Sequence, residues 1–164
     1  GVDMDFRARL SDRVRLSGGL EWMHTKFTDY KNAVLSSPNP AGGVILASGS
    51  ATGNRIPLAQ EFVGSLALDY AIPLGGANLD FNVTGTYNGD YYFEPDNFLR
   101  QGSYVQLNAS VSVKMPDKRT TVILAGSNLL DERVISRNFT QAFGYFVSYA
   151  KPPRQLSATV KYQF

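Results

Sequence analysis

The chain has 164 residues, of which 43% are hydrophobic, 12% aromatic and 18% charged, so its composition fits one folded domain and excludes a disordered chain. Its net charge of +2, without any block of like charges, argues against a nucleic-acid partner, and the absence of cysteine excludes a disulfide framework, a thiolate metal site and a cysteine nucleophile. No apolar run reaches the roughly 18 to 20 residues that a membrane-spanning helix needs, which excludes a helical membrane protein.

The first two predicted elements are strands, because apolar and polar residues alternate with the period of two that gives a strand two chemically different faces. Residues 2–10 and 13–27 carry this alternation, and Ser11 with Asp12 turns the chain between them. The following residues, 28–58, are rich in Ser, Asn, Gly and Pro and predict a large loop.

The middle of the chain has the most regular alternation. Residues 60–72 predict a third strand, which a tight turn at 73–76 ends. Residues 77–91 predict the fourth. Asn88-Gly89 could form a two-residue hairpin, but the alternation continues through it, so we expect an uninterrupted strand and place the loop at 93–101.

The last three strands are predicted at 104–115, 120–130 and 155–164. A short turn at 116–118, with proline at its start, separates the first two of them. An aromatic-rich loop at 133–153 precedes the last one. The strand at 120–130 is apolar on both faces, so the direction in which each face points stays open.

Several features favour a transmembrane β-barrel over a soluble one, in which the apolar faces would point inward. The strands are about 9 to 15 residues long and reach the length of about 9 to 11 residues that crosses a bilayer. Short turns alternate with long loops, and the apolar face carries no lysine or arginine, whose exposure to lipid costs roughly 2 to 4 kcal/mol. Aromatic residues near the strand ends fit an interfacial girdle: Trp22, Phe62, Tyr70, Tyr87, Tyr91, Tyr162 and Phe164.

The sequence therefore predicts an all-β, antiparallel transmembrane β-barrel, of which about seven strands are visible. Bacterial single-chain barrels have an even number of strands, from about 8 upward, and leave no open edge in lipid. We therefore expect these strands to belong to a larger barrel.

Several segments resemble the TonB-dependent receptors of the bacterial outer membrane. Residues Asn128-Leu129-Leu130-Asp131 are similar to the Asn-Leu-x-Asp motif that closes the penultimate strand of these receptors. Residues 153–164, which begin with Pro153-Arg154 and end in phenylalanine, resemble their last strand. Upstream, residues 54–62 and 91–101 are similar to a stretch that enters a strand and to a loop of the same family.

The resemblance implies a barrel of about twenty-two strands filled by an N-terminal plug. Residues 1–164 would be the C-terminal part of one barrel domain, with the plug absent from this chain. The implied function is active transport of a scarce nutrient, such as a ferric siderophore, across the bacterial outer membrane. The implied partners are outer-membrane lipid and lipopolysaccharide, the remainder of the receptor chain, the TonB complex acting through the plug, and the barrel-assembly machinery, for which Tyr162 and Phe164 would be the signal.

Candidate ligand-binding residues lie in the predicted long loops, since arginine pairs with anionic groups and aromatic rings stack on flat ones. They are Arg55, Tyr92, Phe93, Arg100, Arg137, Asn138, Phe139 and Tyr145. The alternative interpretation of each is a loop residue that is merely solvated or faces lipopolysaccharide.

We predict no catalytic residue, cofactor or metal. His24 is the only histidine, and the acidic neighbours at 3 and 5 and at 131 and 132 lack the spacing of a calcium loop. No nucleophile elbow or phosphate-binding glycine loop is present, so we expect no enzyme activity. Three other functions are weighed against it. A small structural outer-membrane barrel would need an eighth strand, and a soluble ligand-binding β-barrel would dissolve without detergent. An outer-membrane enzyme would need a nucleophile with a neighbouring histidine.

Overall fold

A computed structural model describes residues 1–141 and 144–164 of the chain. Its strands are β1 (Val2–Arg9), β2 (Val14–Trp22), β3 (Ala33–Pro38), β4 (Val44–Gly49), β5 (Phe62–Leu74), β6 (Ala77–Asn88), β7 (Tyr91–Tyr92), β8 (Arg100–Gln101), β9 (Tyr104–Lys114), β10 (Thr120–Ser127), β11 (Ile135–Gln141), β12 (Tyr145–Ala150) and β13 (Gln155–Tyr162). Within the described residues, no helix has the length and apolarity to cross a membrane.

Seven strands form one antiparallel sheet in the order β1-β2-β5-β6-β9-β10-β13, so that consecutive long strands are neighbours. These are the seven strands that the sequence predicts, and the all-β antiparallel architecture is confirmed. Among the described strands, β1 and β13 each have a partner on one side only. The remaining strands form the hairpins β3–β4, β7–β8 and β11–β12, one in each long connection. The sequence predicts no strand at β3, β4, β8, β11 or β12 and assigns Tyr91 of β7 to the fourth long strand.

The register of the sheet places the alternating apolar residues on a single face. It also settles the facing of β10, where Leu124 lies opposite Val111 and Ala158. The neighbouring residue, Ile123, lies opposite a serine on β9 and a threonine on β13. Leu124 therefore belongs to the apolar face, and Ile123 belongs to the polar face.

The apolar face is not covered by a second layer of the described chain. Trp22 is 47% exposed, Leu124 57% and Leu156 77%. A soluble monomer rarely exposes a contiguous apolar patch of more than a few hundred Å², so this face is suited to contact with lipid. Several of its aromatic residues lie near strand ends, among them Trp22, which pairs with Phe62 at the end that carries the long connections.

The buried core lies at the end of the sheet that carries the three long connections. We call these connections the loop layer, and they are residues 23–61, 89–103 and 128–154. At the centre of the core Tyr91 and Val134, from two different connections, pack with Tyr104, the first residue of β9, and Phe93 packs against them. The first connection contributes the buried Ala33 and Ala51.

The prediction that the second strand continues to about Phe27 is wrong. β2 ends at Trp22, and the backbone N–H of Phe27 donates instead to the carbonyl of Asn54 at 2.9 Å, inside the loop layer. The ring of Phe27 packs edge to face on Tyr30, with centroids 5.1 Å apart. Hydrogen bonds within the connection thus replace the sheet ladder beyond residue 22.

The prediction that the fourth strand runs through Asn88-Gly89 to Tyr91 is also wrong. β6 ends at Asn88, and Tyr91 belongs to β7. Tyr91 is only 7% exposed, and its hydroxyl donates to the carbonyl of Ile135 at 3.2 Å. It is a core residue of the loop layer and not a member of the interfacial girdle. Alternation does not reveal this, because Tyr91 lies four residues after Tyr87 and so continues the series of apolar-face positions.

The three short turns occur where they are predicted. Ser11 Oγ accepts the N–H of Val14 at 3.1 Å. The turn expected at 73–76 narrows to Gly75-Gly76, whose φ values of 52° and 99° suit a two-residue hairpin. In the third turn, Asp117 accepts the Thr120 hydroxyl and N–H, and these hydrogen bonds hold the pKa of the Asp117 carboxyl below its ordinary value.

Candidate ligand-binding surface in the loop layer

The best-defined polar cluster of the loop layer is centred on Asp90. Its carboxylate accepts hydrogen bonds from Nη1 of Arg55 at 2.9 Å and from Nε of Arg100 at 3.0 Å. Arg55 also donates through Nη2 to the backbone carbonyls of Ala59 and Asp90. Two guanidinium groups share one carboxylate, so these three side chains together carry a net positive charge.

The two arginines of this cluster differ in accessibility. The side chain of Arg55 is 19% exposed, whereas that of Arg100 is 55% exposed. Burial raises the pKa of the Asp90 carboxyl, but hydrogen bonds from Arg100 and Arg55 outweigh burial and hold that pKa below its ordinary value. Asp90 is therefore ionised at neutral pH, and Arg100 is the cation that an approaching anion can reach.

Further contacts fix Arg55 in place. Its guanidinium lies over the ring of Tyr92, 5.5 Å from the centroid. Asn97, at a φ of 56°, accepts the N–H of Arg55 at 2.7 Å and donates to its carbonyl at 2.9 Å, as a neighbouring strand would. Arg55 and Tyr92 thus join two of the connections, and their accessible surface is small.

A second cluster lies on the hairpin β11–β12. The guanidinium of Arg137 is 4.9 Å from the ring centroid of Phe139. Phe139 stacks on Tyr149 with centroids 6.4 Å apart and an interplanar angle of 12°. Arg137 is exposed and Tyr149 is 55% exposed. This surface offers a cation beside flat rings, which suits an anionic planar group.

The other predicted residues have different surroundings. Phe93 packs against Tyr91 with ring centroids 5.2 Å apart and belongs to the core. Asn138 accepts a hydrogen bond from the hydroxyl of Ser148 at 3.0 Å within its own hairpin. The side chain of Tyr145 lies outside the described part of the structure. Of the seven predicted residues whose side chains are described, five fall into two clusters: Arg55, Tyr92 and Arg100 in the first, and Arg137 and Phe139 in the second.

Sequence reasoning missed Asp90, Asn97 and Tyr149 as members of these clusters. Because Asp90 alternates with the apolar residues of the predicted fourth strand, the sequence predicts it on the polar face of that strand. The preceding Asn88-Gly89, a pair typical of turns, was the available signal. Tyr149 becomes visible only through the register of β11 with β12, in which it pairs with Arg137.

No metal centre is evident in the described residues. His24 Nδ1 lies 3.1 Å from Oε1 of Glu61, and both side chains are largely accessible. The described chain has no group of three histidine, cysteine, aspartate or glutamate residues that could hold a metal ion.

The segment that resembles the Asn-Leu-x-Asp motif forms a hydrogen-bonded turn. Asn128, at a φ of 49°, accepts the N–H of Glu132 at 3.0 Å and donates to its carbonyl at 3.0 Å. Asp131 accepts the N–H of Arg154 at 2.9 Å. The motif therefore links the end of β10 to the start of β13.

A family model described as TonB dependent receptor-like, beta-barrel matches residues 1–129, which include six of the seven strands of the main sheet. The chain belongs to this family. Members of the family are transport receptors of the outer membrane of Gram-negative bacteria. The family resemblance predicted from the sequence is thereby confirmed.

Solved structures of similar architecture include three receptors. The ferric yersiniabactin uptake receptor FyuA from Yersinia pestis has a TM-score of 0.76 at 17% identity and is matched over 99% of this chain and 23% of its own. The siderophore receptor PiuA from Acinetobacter baumannii has a TM-score of 0.73 at 20% identity, over 98% and 21%. The ferric preacinetobactin receptor BauA from the same species has a TM-score of 0.63 at 17% identity, over 98% and 21%.

These likenesses concern the fold. The chain spans less than a quarter of the length of the receptors it matches, and its seven-stranded sheet corresponds to part of a larger barrel.

Proposed function

We propose that this chain supplies barrel wall and outer loops to a receptor that imports a scarce nutrient, such as a ferric siderophore, across the bacterial outer membrane. The observation that carries the proposal is the family match over six of the seven long strands. The names of the three similar structures, all receptors for siderophores or their ferric complexes, support the class of nutrient.

In this proposal the apolar face contacts lipid, the polar face lines the lumen, and the loop layer lies outside the cell. Residues 1–164 form the C-terminal part of the barrel domain, and the rest of the receptor chain supplies the plug and the strands that pair with β1 and β13. The TonB complex acts through that plug. These assignments follow from the family's architecture and from the rule that no strand edge stays unpaired in lipid.

The end of the chain is proposed to interact with the barrel-assembly machinery. Tyr162 is the last residue of β13, and its ring packs edge to face on Phe164 with centroids 5.1 Å apart. Both side chains are exposed, as an assembly signal requires.

The two loop clusters are proposed to bind the nutrient. Arg100 and Arg137 are exposed cations, and Phe139 with Tyr149 adds flat rings beside one of them. An anionic ligand with a planar group would pair with the arginines and stack on the aromatic rings.

Iron-limited growth tests the transport role. A strain that lacks the parent gene should lose uptake of radiolabelled iron supplied with siderophores purified from its own culture medium, and the gene should restore it. The variant R100Q/R137Q should lower this uptake about tenfold, because two exposed charge pairs of about 0.7 kcal/mol each together contribute about 1.4 kcal/mol. K26Q/K31Q, which removes the same charge from two exposed lysines of the loop layer, is the matched control. Unchanged uptake without the gene would contradict the proposed function.

Cell fractionation tests whether the chain is part of a longer outer-membrane protein. Mass spectrometry of cells that express the parent gene should find residues 154–164 in a heat-modifiable outer-membrane protein several times longer than this chain. Recovery of a soluble product of about the length of this chain would contradict it.

A further inference from the structure

The central connection of the loop layer contacts both of its neighbours through two acidic side chains. Glu94 accepts the N–H of Thr140 at 3.1 Å through Oε1 and the Thr140 hydroxyl at 2.8 Å through Oε2. Asp96 accepts both the N–H of Ser36, at 2.8 Å, and the Ser36 hydroxyl. Each carboxylate thus receives two hydrogen bonds from one residue of a flanking hairpin, β11–β12 or β3–β4.

Apolar and backbone contacts reinforce both connections. Phe98 stacks on Phe146 of β12 with centroids 5.6 Å apart and an interplanar angle of 28°. On the other side, Asn54 donates through its amide to the carbonyl of Pro95 at 2.9 Å. The central connection therefore holds each neighbour by one carboxylate and at least one further contact.

The two flanking hairpins also touch each other directly. Gly43, in the turn of β3–β4, approaches Gly144 so closely that a Cβ at Gly43 would collide with the Gly144 carbonyl oxygen. Both glycines have positive φ, 82° and 83°. The three connections thus form a closed ring of contacts, in which each one contacts the other two.

We propose that residues 94–98 act as a clasp that makes the hairpins β3–β4 and β11–β12 move as one body. Ser36 lies 60 residues from Asp96 along the chain, and Thr140 lies 46 residues from Glu94. Neither hairpin can swing away from the sheet without breaking two hydrogen bonds to a carboxylate and the glycine contact. A ligand or antibody that displaces one hairpin would therefore displace the other, whichever molecule the receptor transports.

Distances between spin labels in the full receptor test the clasp. Nitroxides at Ser48 of β4 and Ser148 of β12 sit at exposed positions that make no side-chain bond to another connection among the described residues. Their distance distribution in wild-type protein should be narrow. The variant E94A/D96A should broaden it by about twofold, because the hairpins then fluctuate separately.

The control variant D29A/E132A removes the same charge from the loop layer and should keep the narrow distribution. A wild-type width in E94A/D96A, or equal broadening in the control, would overturn the proposal. The variant S36A/T140V removes only the hydroxyl donors and leaves the backbone N–H bonds. It should broaden the distribution by a smaller factor, and if E94A/D96A fails to fold, a wild-type width in S36A/T140V would overturn the proposal.

Discussion

Among the described residues, Asp90 is the single counter-charge for two guanidinium groups, one of which belongs to a side chain only 19% exposed. D90N would leave Arg55 without a carboxylate partner, so we expect it to destabilise the segment 89–101 by about 1 to 3 kcal/mol. Hydrogen exchange of the N–H of Phe93, which donates to Leu99 at 2.9 Å, would report this. D29N should change nothing, since Asp29 has only an exposed partner, Lys31, at 3.6 Å. Wild-type exchange in D90N would show that the ion cluster does not order the segment.

Because the pKa of Asp90 is depressed, the stability that Asp90 gives to the segment 89–101 depends on pH in a defined direction. The pKa of Asp90 in the folded protein lies below the ordinary value of 3.8, so its stabilising effect is fully present above the unfolded pKa and is lost as the pH falls through the folded pKa. In the wild type, hydrogen exchange of the backbone amides at 89–101, corrected for the intrinsic pH dependence of exchange, should accelerate only below about pH 4. D90N should lack this acid-induced component, and an equal acid response in both proteins would contradict the assignment.

Asn128 combines a left-handed backbone with two hydrogen bonds to Glu132. N128G keeps the backbone conformation accessible and removes the side chain, whereas N128A removes the side chain and adds conformational strain of about 1 kcal/mol. Both should lower the stability of the receptor, with N128A the lower of the two by that amount. Denaturant unfolding in detergent micelles measures the order, and equal stability of N128A and wild type would show that the turn does not depend on this residue.

At the scale of the strand, Leu124 and Ile123 are adjacent residues with opposite environments. L124R would place a guanidinium on the apolar face and should cost roughly 2 to 4 kcal/mol if that face contacts lipid at mid-bilayer. I123R, one residue away, would face the hydroxyl side chains of Ser112 and Thr159 and should cost much less. Denaturant unfolding of the full receptor refolded in lipid vesicles compares the two. A larger loss of stability in I123R than in L124R would mean that Ile123, and not Leu124, lies on the apolar face.

Alternation in the sequence was sufficient to place six of the seven long strands, because each of them has one apolar and one polar face, whereas the strand at 120–130 could be placed without its facing. It could not place the strand ends at Trp22 and Asn88, since these depend on bonds between distant segments, such as Asp90 with Arg55. The sequence predicts which arginine and aromatic residues lie in the loops, but it cannot show which of these side chains contact each other. Arg137 and Tyr149, for example, meet only through the register of a hairpin within a long connection.

For the whole molecule, the decisive question is what pairs with β1 and β13, each of which has one described neighbour. Every backbone N–H in the hydrocarbon region needs a partner, so alternate amides of β13, those pointing away from β10, should be hydrogen-bonded in the complete receptor. We expect hydrogen exchange in micelles to find these amides as protected as those that pair with β10. In a refolded polypeptide of residues 1–164 the same amides should exchange much faster, while those facing β10 serve as the internal control. Rapid exchange of the outward-pointing amides in the complete receptor would mean that this edge stays open, and the seven strands would then not be a segment of a closed barrel.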